Sequence, residues 1–297
     1  MRLRSILLAL TLPVLAGGCS GGGSAIPAPR RHPLAVMSMN QCTDQLVLAL
    51  LPPERIASVS WLSRDPGSSV MAAAAKRVRV NRGLAEEVLA QKPDLVIAGT
   101  FTTPALRGML TRLRYPMIEV DHANSIDDIR RITRQVAAAV DERARGEALI
   151  ARMDAQLAAL ARAPGPPIKV VAWDRTGFAA GQGTLYDIIL QAAGARNLVR
   201  EPTTLSYRKP DVELLLKADP PLLVQGSVAA DGLGLGDDVL RHRVVRRLWG
   251  HRILPIAQAY YICGTPMIAD AAIRLRGQLR AAARRAGTTP PIKETTG

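Results

Sequence analysis

The residues able to do chemistry are few and scattered. The four histidines, His32, His122, His242 and His251, fall in no catalytic motif, and no Ser, His and acid set stands out. His122 beside Asp121 follows an apolar run, where it could serve as a metal ligand or a general base. A bare metal ion would need several His or carboxylate ligands, and only this one loop offers any. The three cysteines, Cys19, Cys42 and Cys263, form no C-x-x-C pair and no zinc spacing. Gly177, Gly181 and Gly183 make neither G-x-G-x-x-G nor a G-K-[ST] loop. A ligand-facing loop needing close backbone approach suits them as well as phosphate binding does. The sequence therefore points to no catalytic residue, no metal site and no bound cofactor.

The aromatic residues are more informative. There are ten in 297 residues. Seven of them, Trp61, Phe101, Trp173, Phe178, Tyr207, Tyr260 and Tyr261, follow an apolar strand pattern or sit in a loop. In open parallel sheets the crevice lies at the carboxyl ends of the strands. A chain that places its scarce rings there is expected to line a pocket of mostly apolar walls with a few polar groups. Taken singly, each ring could equally be a loop anchor packed on its own lobe.

The elements that must hold such a cleft alternate. Short apolar runs near 34–39, 56–60, 94–98 and 117–120 read as strands, and amphipathic stretches near 43–50, 84–91 and 106–113 read as helices. This order predicts an α/β fold with parallel sheets covered on both faces. Residues 127–162 carry an almost unbroken helical pattern in which Asp141 or Gly146 is the expected interruption. The alternation then restarts, with strands at 168–173, 222–225 and 253–256, and helices at 185–193, 211–217, 239–248 and 268–285.

The two halves echo each other. Glu86, Pro93, Leu95-Val96-Ile97 and Gly99 reappear as Glu213, Pro220, Leu222-Leu223-Val224 and Gly226, every landmark displaced by the same 127 residues. Each unit is a short helix, a proline that stops it, and a buried strand ending at glycine. Two similar lobes joined by one long helix are the expected architecture. The expected boundaries are 34–140 for the first lobe, 141–163 for the joining helix and 164–286 for the second lobe. Residues 287–297 are expected to be a disordered tail.

The amino terminus reads as a leader. Arg2 and Arg4 precede an apolar stretch, and Ala16-Gly17-Gly18-Cys19 resembles a lipobox. Residues 1–18 are expected to be a signal peptide, Cys19 the site of lipid attachment and 19–33 a flexible tether; cleavage to a freely soluble periplasmic protein is the alternative. No other stretch is long and apolar enough to cross a membrane. The net charge of +14 falls to +12 without the two leader arginines. A nucleic-acid binder must therefore be weighed. The arginines, however, are scattered along Ala-rich helical stretches, and an exported protein meets no nucleic acid.

With these features, the mature chain from about Leu34 to Leu279 resembles the helical-backbone class of periplasmic binding proteins, those for cobalamin, ferric siderophores and haem. The resemblance is carried by Ser38 and Thr43-Asp44, by Arg82-Gly83-Leu84-Ala85-Glu86 through Lys92-Pro93-Asp94-Leu95-Val96, by Phe178-Ala179-Ala180-Gly181, by Gly194-Ala195-Arg196-Asn197-Leu198 and by Gly264-Thr265-Pro266. It implies two Rossmann-like lobes around a ligand cleft and one rigid interlobe helix. It also implies a metal chelate such as cobalamin or a ferric siderophore as ligand, an ABC permease with its ATPase as partner, and a monomer held to the membrane by its lipid alone. One glutamate per lobe would dock on the permease, and those positions fall on Glu86 and Glu213. Trp61, Phe178, Tyr207, Tyr260 and Tyr261 match aromatic or near-aromatic places in the cobalamin-binding pattern, from which this sequence departs in having Tyr at 207 and no aromatic at Gly99. An exported α/β enzyme of hydrolase type using the same cleft is the alternative. Cys42 and Cys263 fall after the first strand of one lobe and the last strand of the other. A bridge there would clamp the lobes at the ligand entrance, so two free thiols facing the ligand are the expectation.

Overall fold

The computed structural model describes residues 34–100, 102, 104–173, 180–200, 212–227 and 242–288. The leader and tether with Cys19, the last residues 289–297, and Phe101, Phe178 and Tyr207 lie outside the described residues.

Five apolar runs, Val36–Ser38 (β1), Ile56–Ser60 (β2), Val80–Asn81 (β3), Leu95–Gly99 (β4) and Met117–Val120 (β5), form one sheet in the order β3-β2-β1-β4-β5. Every pairing is parallel; Val36 sits opposite Leu95, and Val96 opposite Met117. A second sheet takes Lys169–Trp173 (β6), Arg196–Asn197 (β7), Leu222–Ser227 (β8) and Ile253–Ala257 (β9) in the order β7-β6-β8-β9, again all parallel. The fold is α/β with two Rossmann-like lobes. The strands read as near-continuous hydrophobic runs because helices cover both faces of a parallel sheet.

The helices begin and end where local chemistry dictates. Gln41–Leu50 (α1) starts at Asn40, not at Thr43, because the Asn40 side chain accepts from the Cys42 amide at 2.9 Å. Ala72–Ala75 (α2) is a single turn. Ala85–Gln91 (α3) is opened by Glu87, whose Oε2 accepts from the Leu84 amide at 3.0 Å, and is closed by a left-handed Lys92 before Pro93. Pro104–Arg112 (α4) follows β4.

The long helical pattern of 127–162 divides into Ile126–Ala139 (α5) and Arg143–Arg162 (α6), and of the two expected interruptions Asp141 is the one used, at φ +59°. Gly146 has another task. A Cβ there would stand 2.5 Å from the Ala137 methyl, so glycine lets α6 fold back closely on α5. Asp154 and Glu147 on α6 accept from Arg130 and Arg134 on α5 along the same seam.

Leu185–Ala193 (α7) is capped by Thr184, which accepts from the Asp187 amide, and closed by left-handed Gly194, pressed against the Gly165 backbone. Val212–Ala218 (α8), Arg243–Trp249 (α9) and Ile268–Thr288 (α10) complete the chain. On α10, buried Arg276 donates to the carbonyls of Leu160 and Ala163 at the end of α6 and of Ala192 and Ala193 at the end of α7. A guanidinium at two helix carboxyl termini satisfies acceptors that no backbone amide reaches. It also ties α6 to the second lobe. Among the described residues no helix is long and apolar enough to cross a membrane.

Candidate functional site

The carboxyl ends of β1, β2, β4 and β5 open onto one cavity of about 480 Å³. Met39, Leu46, Val120, Ala123, Ile132 and Ile262 give it apolar walls, while Trp61, Arg82, Thr100, Asp121 and His122 stand around it. The place agrees with the crevice rule for parallel sheets. Gly99 at the end of β4 lines it too, and a Cβ there would meet the Asn40 side chain at 2.8 Å. The missing aromatic at 99 therefore has a physical cause: the cap of α1 fills that space.

Trp61 begins a 3-10 turn, Trp61–Arg64, and is 52% exposed, an unusual state for so large a ring. Its turn is held from beneath by Asp44. This residue lies in the first coils of α1 and is fully buried. Its Oδ2 accepts from the Ser60 amide at 3.1 Å, the Ser60 hydroxyl at 2.5 Å and the Ser63 hydroxyl at 2.6 Å, the residues on either side of Trp61 and Leu62. The Ser38 hydroxyl beside it bonds Thr43 at 2.7 Å. Burial pushes the Asp44 carboxyl up to about 6, against the lowering effect of the serines. Arg64, closing the turn, donates to the carbonyls of Ala75 and Val78. The ring is exposed on a clamped backbone, a preorganised contact surface.

At the opposite edge, the His122 ring is half exposed, with Nδ1 3.0 Å from the Asp121 carboxylate. That pairing orients the imidazole. Arg82, exposed at the rim, adds a positive charge. Among the described residues no group of three His, Cys, Asp or Glu could hold a metal ion.

The second lobe reaches this cavity through the loop after β9. Ile262 and Gly264 line it, and a Cβ on Gly264 would stand 2.2 Å from the Ala123 methyl. Between them Cys263 is fully buried and bonded to Cys42, with Cα atoms 4.9 Å apart. The expectation of two free thiols is therefore wrong. It placed the cysteines on opposite lips of an opening, where a bridge would obstruct loading. The loop instead crosses back onto the first lobe, where Cys42 lines the cavity, Cys263 is buried, and the bond fastens the loop.

The other expected site residues are dispersed. Tyr261 is 8% exposed and stacks on Tyr186, centroids 4.3 Å apart, within the main core; Tyr260 is half buried with the Arg274 guanidinium 6.0 Å from its ring centre. Neither lines the cavity. Trp173 is the last residue of β6. Glu86 on α3 and Glu213 on α8 are both exposed. Sequence reasoning did not find Asp44 or Arg82 as site residues. The available signal for Asp44 was an acid inside an apolar helix, with serines ending both neighbouring strands.

Comparison with known proteins places this geometry. Residues 36–248 match the family described as periplasmic binding protein. No curated protein matches the sequence. Among solved structures, a periplasmic haem-binding protein from Roseiflexus sp. RS-1 superposes with a TM-score of 0.67 at 23% identity, covering 85% of this chain and 100% of its own. The periplasmic haem-binding protein of Vibrio cholerae gives 0.68 at 19%, covering 83% and 98%. The vitamin B12-binding protein of Vibrio cholerae gives 0.58 at 16%, covering 86% and 98%. These likenesses show the shared fold, and the family match spans most of the chain. The chain belongs to the periplasmic binding protein family.

Proposed function

We propose that this protein captures a metal chelate, a tetrapyrrole such as cobalamin or haem or a ferric siderophore, and delivers it to the ABC permease. The observation that carries the reading is the cavity itself: apolar walls, an exposed tryptophan on a clamped turn, and His122 and Arg82 at its edges. A broad hydrophobic ligand with a few polar or anionic arms suits such a wall, since large rings stack on Trp61 and charged arms find Arg82. The haem- and vitamin B12-binding proteins of similar fold support this ligand class. Trp173, Phe178, Tyr207 and Phe101 remain proposed ligand contacts, whereas Tyr260 and Tyr261, which do not line the cavity, are not among them.

Docking on the permease is assigned to Glu86 and Glu213, one exposed carboxylate on each lobe. Two separated charges make a two-point electrostatic clamp that fixes orientation. Export through residues 1–18, lipid attachment at Cys19, the tether 19–33 and action as a monomer in the periplasm belong to the same reading. So do lobes at 34–140 and 164–286 joined by 141–163. A thermal-shift series with cobalamin, haem and several ferric siderophores tests the function. A ligand of the native state raises Tm in a saturable, concentration-dependent way, and a flat response to all of them would reject the ligand class.

A further inference from the structure

Helices α3 and α8 are copies of one element. Each has seven residues, and both their first and last residues are 127 apart. Only two of the seven positions are identical, Glu86 with Glu213 and Leu89 with Leu216. Both pairs are exposed, the leucines at 50% and 45%. The fully buried position between them differs, Val88 against Leu215. Folding constrains cores far more than surfaces, where most substitutions change stability little. A duplicated element that has drifted in its core yet agrees at two exposed positions is held there by something outside the chain. One exposed leucine needs no explanation; a matched pair, each beside a matched carboxylate, does. Leu84 is exposed as well, but position 211 is Asp, so it has no counterpart.

On a helix, residues i and i+3 are surface neighbours. Each lobe therefore presents a carboxylate beside an apolar knob. The complementary surface is a basic residue next to an apolar pocket, present twice, on a partner whose two halves repeat as the lobes do.

We propose that Leu89 and Leu216 are a second matched pair of docking contacts, each entering an apolar pocket of the ABC permease beside the basic residue that receives its glutamate. The proposal rests on docking through Glu86 and Glu213. The leucines shield those ion pairs from water and salt and supply the part of the affinity that salt does not remove.

The test measures binding of the mature protein to its permease and ATPase in nanodiscs, at low and high ionic strength. Leu89→Ser with Leu216→Ser should weaken binding about tenfold or more at both salt concentrations. Glu86→Lys with Glu213→Lys should weaken it most at low salt. Ile273→Ser, an exposed apolar residue outside the repeat, should bind like wild type, and unchanged Tm should show that all variants fold. Wild-type binding by the double leucine variant, with binding lost in the glutamate variant, overturns the leucine proposal and leaves glutamate docking standing. Wild-type binding by the glutamate variant refutes the glutamate reading, and the leucine proposal with it. A concentration-dependent dimer of the wild-type protein that disappears in the leucine variant would assign the leucines to self-association and also overturn the proposal.

Discussion

The two lobes solve the same local problem and put it to different ends. Each has a buried aspartate in the first turns of its first helix, Asp44 on α1 and Asp187 on α7, and each ties that carboxylate to the end of the next strand. Asp44 reaches Ser60 at the end of β2, and Asp187 accepts from Asn197 at the end of β7 at 2.9 Å. In the first lobe the tie carries an exposed tryptophan over the cavity. In the second, Asn197 also donates to Ala180 at 2.7 Å, and the neighbouring ring, Tyr186, turns inward to stack on Tyr261. The same device supports a cavity-lining surface on one side and a packed core on the other. The residue just past the strand is exposed Trp61 in one lobe and partly buried Leu198 in the other.

The largest expected effect concerns the feature in which the lobes agree. Glu86→Lys with Glu213→Lys should abolish transport while ligand affinity stays unchanged; undiminished transport at equal expression would remove the docking assignment. The joint between the lobes comes next. The Cys42–Cys263 bond spans 221 positions. In the chain-entropy picture a loop of that size contributes about 5 kcal/mol through the unfolded state. Cys42→Ser with Cys263→Ser should lower Tm and the urea midpoint, and an unchanged midpoint would show that packing at Gly264 alone holds the loop.

The buried Asp44 should then show in the pH dependence of stability. The folded Asp44 carboxyl lies near 6, above its ordinary 3.8, so the native state binds the extra proton between those values. Wild-type stability should therefore fall as pH rises through about 4 to 6, relative to Asp44→Asn, by about 3 kcal/mol. The relief is complete below that window and the penalty complete above it. Denaturant midpoints of both proteins at pH 4 and pH 7 read this directly, and a constant difference would place the Asp44 proton elsewhere. The smallest effect contrasts the rings. Trp61→Ala should weaken ligand binding by about 1–3 kcal/mol with Tm preserved. Tyr261→Ala should lower Tm, since it removes a buried ring from the core.

Much of the fold is legible in the sequence. Apolar runs of period and length suited to buried strands mark both sheets, and the 127-residue echo locates α3 and α8 within one residue. The helical pattern narrows the break to Asp141 or Gly146. Deciding between them needs tertiary structure, because Gly146 is required by the approach of Ala137 and not by local backbone geometry. Trp61 is marked by residue type and position alone. Tyr260 and Tyr261 look equivalent to it in sequence, since both come after a strand. The difference lies in the loop after β9, which folds back so tightly that Cys263 and Gly264 belong to the first lobe. No local pattern announces a contact between residues 123 and 264. The same long-range closure explains why the cysteines look, in sequence, like opposite lips of a cleft. Asp44 is hard to find because its partners are ordinary serines 16 and 19 positions away.

In the proposed function, the cavity over β1, β2, β4 and β5 binds a metal chelate against Trp61. The most direct test of this binding is a fluorescence and calorimetric titration of the mature protein with cobalamin, haem and ferric siderophores, run in parallel on Trp61→Ala. The expected result is saturable binding of one chelate class, with quenching of the Trp61 emission and an affinity loss in the variant. Saturable binding of equal affinity in both proteins, or no binding of any chelate by folded wild type, would contradict it.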